Sequence, residues 1–350
     1  MDALADDVYC GAFRSAGTEW TQTGRGPFVG SLQSIRVGSA RVFRDRFSTG
    51  WQRSGRLKSG HLLVGTIADA ATRARWFGVQ ATDGDVAVAS GKLDASAVGA
   101  GELYSVLLDA RTVSGGVPCV AAVDRVHDDA YLCRNPLAAG RLRTFLGTLF
   151  ELGDRVPGLI KAPALQRRIQ GALMSLLRGS GEGRRIVPNA SLGGRFAAVQ
   201  SCVAYMRAHI DEAISLRELC DLSGLRSRSL INAFDALTGV SPMAYLKAQR
   251  LNGVRRALMS TSADRGRIID IALDWGFGHM GHFVADYRAM FGERPSQTPR
   301  AAQSRREPGR RAFSRDERTP YRPHSTGGSN DPSTTFHYAA LLAMVEAFGN

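Results

Sequence analysis

Side chains able to recognise another molecule through hydrogen bonds gather in two short runs, Arg226-Ser227-Arg228-Ser229-Leu230-Ile231-Asn232 and His279-Met280-Gly281-His282-Phe283, with Arg288 just beyond the second. A guanidinium is a rigid fork of donors that suits phosphates and flat two-acceptor edges, while hydroxyl, amide and imidazole groups add further directed bonds. Met280 offers only apolar contact. His279 and His282, three residues apart, also have metal-ligand spacing, but zinc takes three or four protein ligands and no further candidate stands nearby. The chemistry on offer is therefore recognition rather than bond making, and no metal or cofactor is expected.

These runs must be held by helices, because each lies inside a repeated pattern. The first copy reads Leu219-Cys220, Gly224-Leu225, Leu230, Phe234, Gly239 and Pro242; the second reads Ile271-Ala272, Gly276-Phe277, Phe283, Tyr287, Gly292 and Pro295. The spacings agree apart from one residue inserted before Phe283. Each position has a reason in two helices crossing around a short turn. Cys220 and Ala272 are small where the second helix passes over the first. Gly224 and Gly276 fit the left-handed conformation that ends a helix. Leu225 and Phe277 plug the corner, Leu230, Phe234, Phe283 and Tyr287 face inward, and Gly239, Gly292, Pro242 and Pro295 terminate the second helices. Ser215-Leu216-Arg217-Glu218 is a capping box that starts the first pair. Phe196, Val199, Val203, Met206 and Ile210 form one face of a preceding helix, and 241–258 reads as a continuous helix joining the two copies.

Two helix-turn-helix units on one connecting helix read as a DNA-binding region. Ser241-Pro242 with Tyr245-Leu246, Arg250-Leu251, Trp275-Gly276-Phe277-Gly278-His279-Met280-Gly281-His282-Phe283, Asp286-Tyr287-Arg288 and Gly292-Glu293-Arg294-Pro295-Ser296 make the match specific. Over residues 196–298 the chain resembles the DNA-binding domain of the AraC/XylS regulators. The resemblance implies a sequence-specific transcription regulator, mostly of the activating kind, with double-stranded DNA and RNA polymerase as partners and a small-molecule effector. DNA contact is expected of Arg226, Ser227, Arg228, Ser229, Asn232, His279, Met280, His282 and Arg288, on or beside the second helix of each pair, and turn roles of Cys220, Gly224, Leu230, Ala272, Gly276 and Phe283. The family often has Arg where this chain has Asn232 and Ala285.

Upstream, 28–109 runs in short apolar stretches broken by turns: 32–37, Gly38-Ser39, 40–43, 62–67, 76–80, Asp83-Gly84, 86–89 and 103–108. This predicts an antiparallel β-barrel or sandwich, half-cupin-like and loosely similar to the sensing domain of the ethanolamine and aromatic-amine branch. The period then becomes helical, with Leu137, Leu142, Phe145, Leu146, Leu149 and Phe150 on one face and Leu165, Ile169, Leu173, Leu176 and Leu177 on another. The expected class is α+β, with a sensing domain at 1–135, a helical connector and linker at 136–194 that serves a homodimer, the reader at 195–298, and a disordered basic tail at 299–350.

Composition limits the alternatives. The chain has 350 residues, 44% of them hydrophobic, and a net charge of +13. The basic excess is spread along the chain, so charge alone does not mark the reader. It does keep a non-specific architectural DNA protein open as a second reading. No apolar run is long enough to span a bilayer, and the acidic start Met1–Asp7 is unlike a signal peptide, so a cytoplasmic protein is expected. Five scattered cysteines (Cys10, Cys119, Cys133, Cys202, Cys220) suit reduced thiols. An enzyme on the β-rich region would need convergent ligands, and only His61 precedes His127 there.

Overall fold

The computed structural model describes residues 18–57, 59–109, 130–155, 162–180, 183–186, 190–260 and 265–298. The expected tail, Cys10, Cys119 and His127 lie outside them.

Strands β1 (Thr18–Gln22), β4 (Trp51–Arg56), β9 (Lys92–Ala97), β6 (Ala74–Trp76) and β7 (Val79–Gln80) form one antiparallel sheet in that order. A larger sheet runs β12 (Arg184–Ile186), β11 (Ala130–Arg134), β8 (Asp85–Ala89), β5 (His61–Ile67), β10 (Gly101–Asp109), β3 (Ala40–Phe47) and β2 (Gly30–Val37). The two sheets are open and face one another, so the sandwich alternative fits and a closed barrel does not. The period of two along each strand divides the large sheet's side chains between two cores. In β8, Val86 and Val88 point to one core while Ala87 and Ala89 point to the other, which explains why all five of its residues are buried. The inter-sheet core holds Trp20, Phe47, Trp51, Trp76, Leu93 and Leu103.

The opposite face of the large sheet is covered by helices α1 (Pro136–Arg155) and α2 (Pro163–Ser180), whose apolar stripes from Leu142 to Leu152 and from Leu165 to Leu177 are buried against it. A dimer through this connector would therefore have to use the helices' polar outer faces. Two expected elements differ. Residues 76–80 do not form one strand, because Phe77 (φ 53°) and Gly78 (φ 77°) make a two-residue turn of left-handed conformation that folds them into a hairpin. The stretch 179–194 is not all linker: β12 pairs with β11, and α3 (Ala190–Ala208) already begins inside it.

The remaining helices are α4 (Leu216–Ser223), α5 (Ser227–Thr238), α6 (Pro242–Ser260), α7 (Arg265–Asp274) and α8 (Met280–Phe291). They build two separate cores. Val199, Cys202, Leu219, Leu230 and Phe234 enclose the first together with Tyr245 and Leu246 from the start of α6. Ala272, Phe283, Tyr287 and Phe291 enclose the second together with Ala248, Leu251, Val254 and Leu258 further along the same helix. One continuous helix thus serves each core with a different half.

Candidate nucleic-acid interface

Each of the two units is closed locally by groups the repeat predicts. Ser215 Oγ accepts from the Glu218 amide at 3.2 Å while Glu218 Oε2 accepts from the Ser215 amide at 2.6 Å, so the capping box is complete and holds the Glu218 carboxyl below the usual carboxylate range. α4 ends at Gly224 with φ 66°. At the matching turn Gly276 has φ 74°, with Phe277 N–H donating to Ala272 O (3.0 Å) and Gly276 N–H to Leu273 O (2.8 Å). That pair of bonds is the Schellman termination, which satisfies two carbonyls a helix end otherwise leaves open. α5 and α8 end alike, on Gly239 (φ 77°, N–H to Asp235 O) and Gly292 (φ 73°, N–H to Arg288 O).

With Leu230 and Phe283 fully buried, the residues around them project outward. Arg226, Ser227, Arg228, Ser229 and Asn232 are exposed on α5 and at its start, and His279, His282 and Arg288 are exposed on α8 and at its start. Arg226 and His279 occupy the N-cap positions without a side-chain capping bond, so His279 does not cap α8. Met280 differs from expectation too. It is half-buried and packs against the second core, because it is the first residue of α8 and its side chain leans back over the corner beside Phe277. The rings of His279 and His282 lie 6.0 Å apart, and among the described residues no group of three or more metal-binding side chains assembles.

The contacts made by several positioning residues escaped the sequence reading. Arg250 on α6 donates from Nε to Ile210 O (2.7 Å), from Nη1 to Gly276 O (3.3 Å) and from Nη2 to Glu212 O, tying the first unit's entry to the second unit's turn; its burial pulls the guanidinium below its ordinary range. Gly253 faces Trp275 so closely that a Cβ there would fall 2.1 Å from the indole ring. Lys247 pairs with Asp286 at 2.9 Å and joins α6 to α8. Tyr287 donates or accepts at Thr298 Oγ1 (2.7 Å), which in turn reaches Glu293 (2.8 Å), closing the far end of the second unit.

Two exposed, donor-bearing helices on units joined by one rigid helix define a double helix-turn-helix protein. The comparisons agree. Residues 219–301 match the family model described as a helix-turn-helix domain. The XylDLEGF operon transcriptional activator of Pseudomonas putida is 31% identical over 163 residues, 46% of this chain and 49% of the relative. A second P. putida activator of that operon is 38% identical over 27% of this chain and 61% of its own length. The chain thus spans about half the length of the first of these relatives. A crystal structure of a probable AraC family transcriptional regulator from Rhodopseudomonas palustris CGA009 is 37% identical, covering 30% of this chain and 97% of that one (TM-score 0.27). Residues 219–301 thus carry a helix-turn-helix domain, and the chain is similar over part of its length to transcriptional activators that regulate the XylDLEGF operon.

In the β-rich region a small cavity of about 20 Å³ lies between the sheets, lined by Trp51, Trp76, Leu103 and Tyr104 with Asp45 and Arg53. Asp45 Oδ1 is buried with no hydrogen-bond partner among the described residues. Burial pushes the Asp45 carboxyl up to about 7 against the pull of Arg53. Cys133 and Cys202 are buried free thiols pushed up by burial, and neither has the character of an activated thiolate. No helix among the described residues is long and apolar enough to cross a membrane.

Proposed function

We propose that this protein is an effector-responsive activator that reads double-stranded DNA with α5 and α8 in successive major grooves. The observation that carries this reading is the pair of exposed N-terminal halves, Arg226 to Asn232 and His279 to His282, on two units fixed to α6. Helices so placed meet one face of the duplex about 34 to 36 Å apart. Arg228 suits a guanine edge through two bonds, Asn232 suits an adenine edge through its amide, and His282 supplies a single bond. Half-buried Met280 contributes at most a methyl contact at the rim. Reading 195–298 as the reader and 1–135 as the half-cupin-like sensing part, we place the effector between the two sheets. The cavity there is too small for a metabolite, so binding requires the sheets to part around Asp45 and Trp51. RNA polymerase as a partner rests on the family resemblance alone.

Selection of the full-length chain on a random DNA pool at physiological salt tests this. The expected product is a bipartite site of two short boxes about one helical turn apart. Binding with no preference over bulk DNA and a steep salt slope would favour the architectural alternative instead.

A further inference from the structure

The first sheet has two faces with different tasks. Along β4 and β9, Trp51, Arg53, Leu93 and Ala95 line the cavity or its core, while Ser54, Asp94 and Ser96 turn to the helices. The helix-facing residues touch both units. At the end of α5, Ser96 Oγ donates to Leu237 O (2.8 Å), and Val98 lies against Gly239, where a Cβ would fall 2.7 Å from it. At the end of α8, Gln22 Nε2 donates to Met290 O (2.8 Å), Gly26 N–H to Ala289 O (3.0 Å), and Pro27 lies against Gly292, where a Cβ would fall 2.7 Å from its ring. Between them, Asn252 Nδ2 donates to Gln22 O (2.9 Å) and Gln22 N–H to Asn252 Oδ1 (3.3 Å), while Gln249 Nε2 donates to Thr21 Oγ1 (3.2 Å). Thr21, Gln22, Gln249 and Asn252 are all buried.

The last carbonyls of a helix have no partner within it, and here one sheet supplies donors to both recognition helices. The candidate base-reading side chains sit at the other ends: Arg228 and Leu237 are nine residues apart, about 13 Å along the helix axis. Docking of the sheet therefore leaves the reading surface open. The two units have separate cores and are joined by α6, the Arg250 tie and the Lys247–Asp286 pair, so a bend in α6 would change the distance between α5 and α8. A strut across both helix ends opposes that bend.

We infer that the β1–β4–β9 sheet is a crossbar that sets the spacing at which α5 and α8 meet DNA, with Gln22, Asn252 and Ser96 as positioning residues for that spacing. The inference rests on the DNA-reading proposal above. Its location also gives the cavity a direct route to the reader, since a ligand that moves Trp51 or Leu93 moves the strands that carry Ser54 and Ser96.

The test uses the full-length chain, Asn252→Ala and Ser96→Ala. Asn252→Ala places a good helix former in α6 and removes the central clasp; Ser96→Ala removes only the contact to α5. Affinity is measured for the wild-type site with its two boxes at the selected spacing and at spacers one and two base pairs shorter or longer. Each variant is expected to keep base choice within both boxes while flattening the preference among spacers by about tenfold, the scale of one lost buried hydrogen bond. An unchanged spacer profile, an equal loss at every spacer, or an equal gain at every spacer overturns the crossbar; the equal gain would mean that the sheet blocks DNA. A second readout needs no DNA: spin labels on genetically encoded ketone side chains at the exposed positions 231 and 284. The distance distribution is expected to be narrow in the parent and broadened by Asn252→Ala. An unbroadened distribution refutes the crossbar, whereas failure of the parent to select a bipartite site, with broadening present, refutes the DNA reading alone.

Discussion

Gly224 and Gly276 occupy equivalent turns at nearly the same backbone angle, φ +66° and +74°, yet their surroundings differ. A Cβ at Gly224 would meet open space, whereas one at Gly276 would fall 2.8 Å from the Asp211 carbonyl oxygen and 2.9 Å from Arg250 Cζ. The first unit stands on its own cap and core. The second is seated against the first through Arg250, and its own packing on α6 rests on Trp275. Their outward faces differ as well. Superposing Leu230 on Phe283 sets Arg228 against Gly281, Ser229 against His282, Asn232 against Ala285 and Asp235 against Arg288. One backbone plan therefore carries two chemistries, and the second copy depends on contacts the first does without.

The largest effect expected from breaking this asymmetry is at Gly253. In an exposed helix Gly→Ala would stabilise by about 1 kcal/mol. Here the added methyl would lie 2.1 to 2.3 Å from three atoms of the Trp275 ring, so Gly253→Ala should displace Trp275 and destabilise the second unit by several kcal/mol, as overpacked sites do. Calorimetry should show an early transition attributable to residues 248–298, with the first unit's transition retained. A single unshifted transition would contradict the seating of the second unit on Trp275.

Next come the turns themselves. Gly224→Ala should cost about 1 to 2 kcal/mol, the strain of a left-handed alanine. Gly276→Ala carries that strain and the clash with Asp211 and Arg250 besides, so its loss in urea midpoint should be clearly the greater. Equal losses would mean that the Arg250 tie yields without cost.

The outward faces are tested by Arg228→Ala and His282→Ala. The first should relax base choice in one box by roughly 1 to 3 kcal/mol, and the second should alter only the other box, by less. Selection with each variant decides this, and changes in the same box from both substitutions would sink the two-groove reading. The smallest expected effect is electrostatic. Arg288→Ala should lower the salt slope of binding by about one unit if the guanidinium meets a phosphate, while Asp235→Asn, its counterpart, should leave base choice unchanged and strengthen binding slightly at low salt.

Much of the reader was legible in sequence because its constraints are local. Gly224, Gly239, Gly276 and Gly292 mark helix ends that only a left-handed residue satisfies, and the inward period of Leu230, Phe234, Phe283 and Tyr287 needs no distant partner. The contact between Gly253 and Trp275 was not legible, since a glycine within a helical pattern signals only a cost until the ring that fills its place is known. The first sheet was harder still. Trp51–Arg56 and Lys92–Ala97 read as mixed polar segments, because the side chains that face away from the cavity hydrogen-bond to helices more than a hundred residues further on. Polar groups buried against a distant element look, in one dimension, like groups exposed to water. Met280 misled for the opposite reason: a flexible apolar chain at a helix start can lie on either side of the corner.

The division of α6 between two cores has a further consequence for how this protein opens. Tyr245 and Leu246 belong to the first core, and Ala248 and Leu251 to the second. Amide hydrogens in the turn where these halves overlap are released only when both units come apart, whereas those near either end of the helix need only the nearer unit to open. Hydrogen exchange along α6 should therefore be slowest in its N-terminal middle, around Lys247 and Ala248, and rise towards Ser260. The helix that spaces the two readers is in this sense also the place where their separate stabilities are added together.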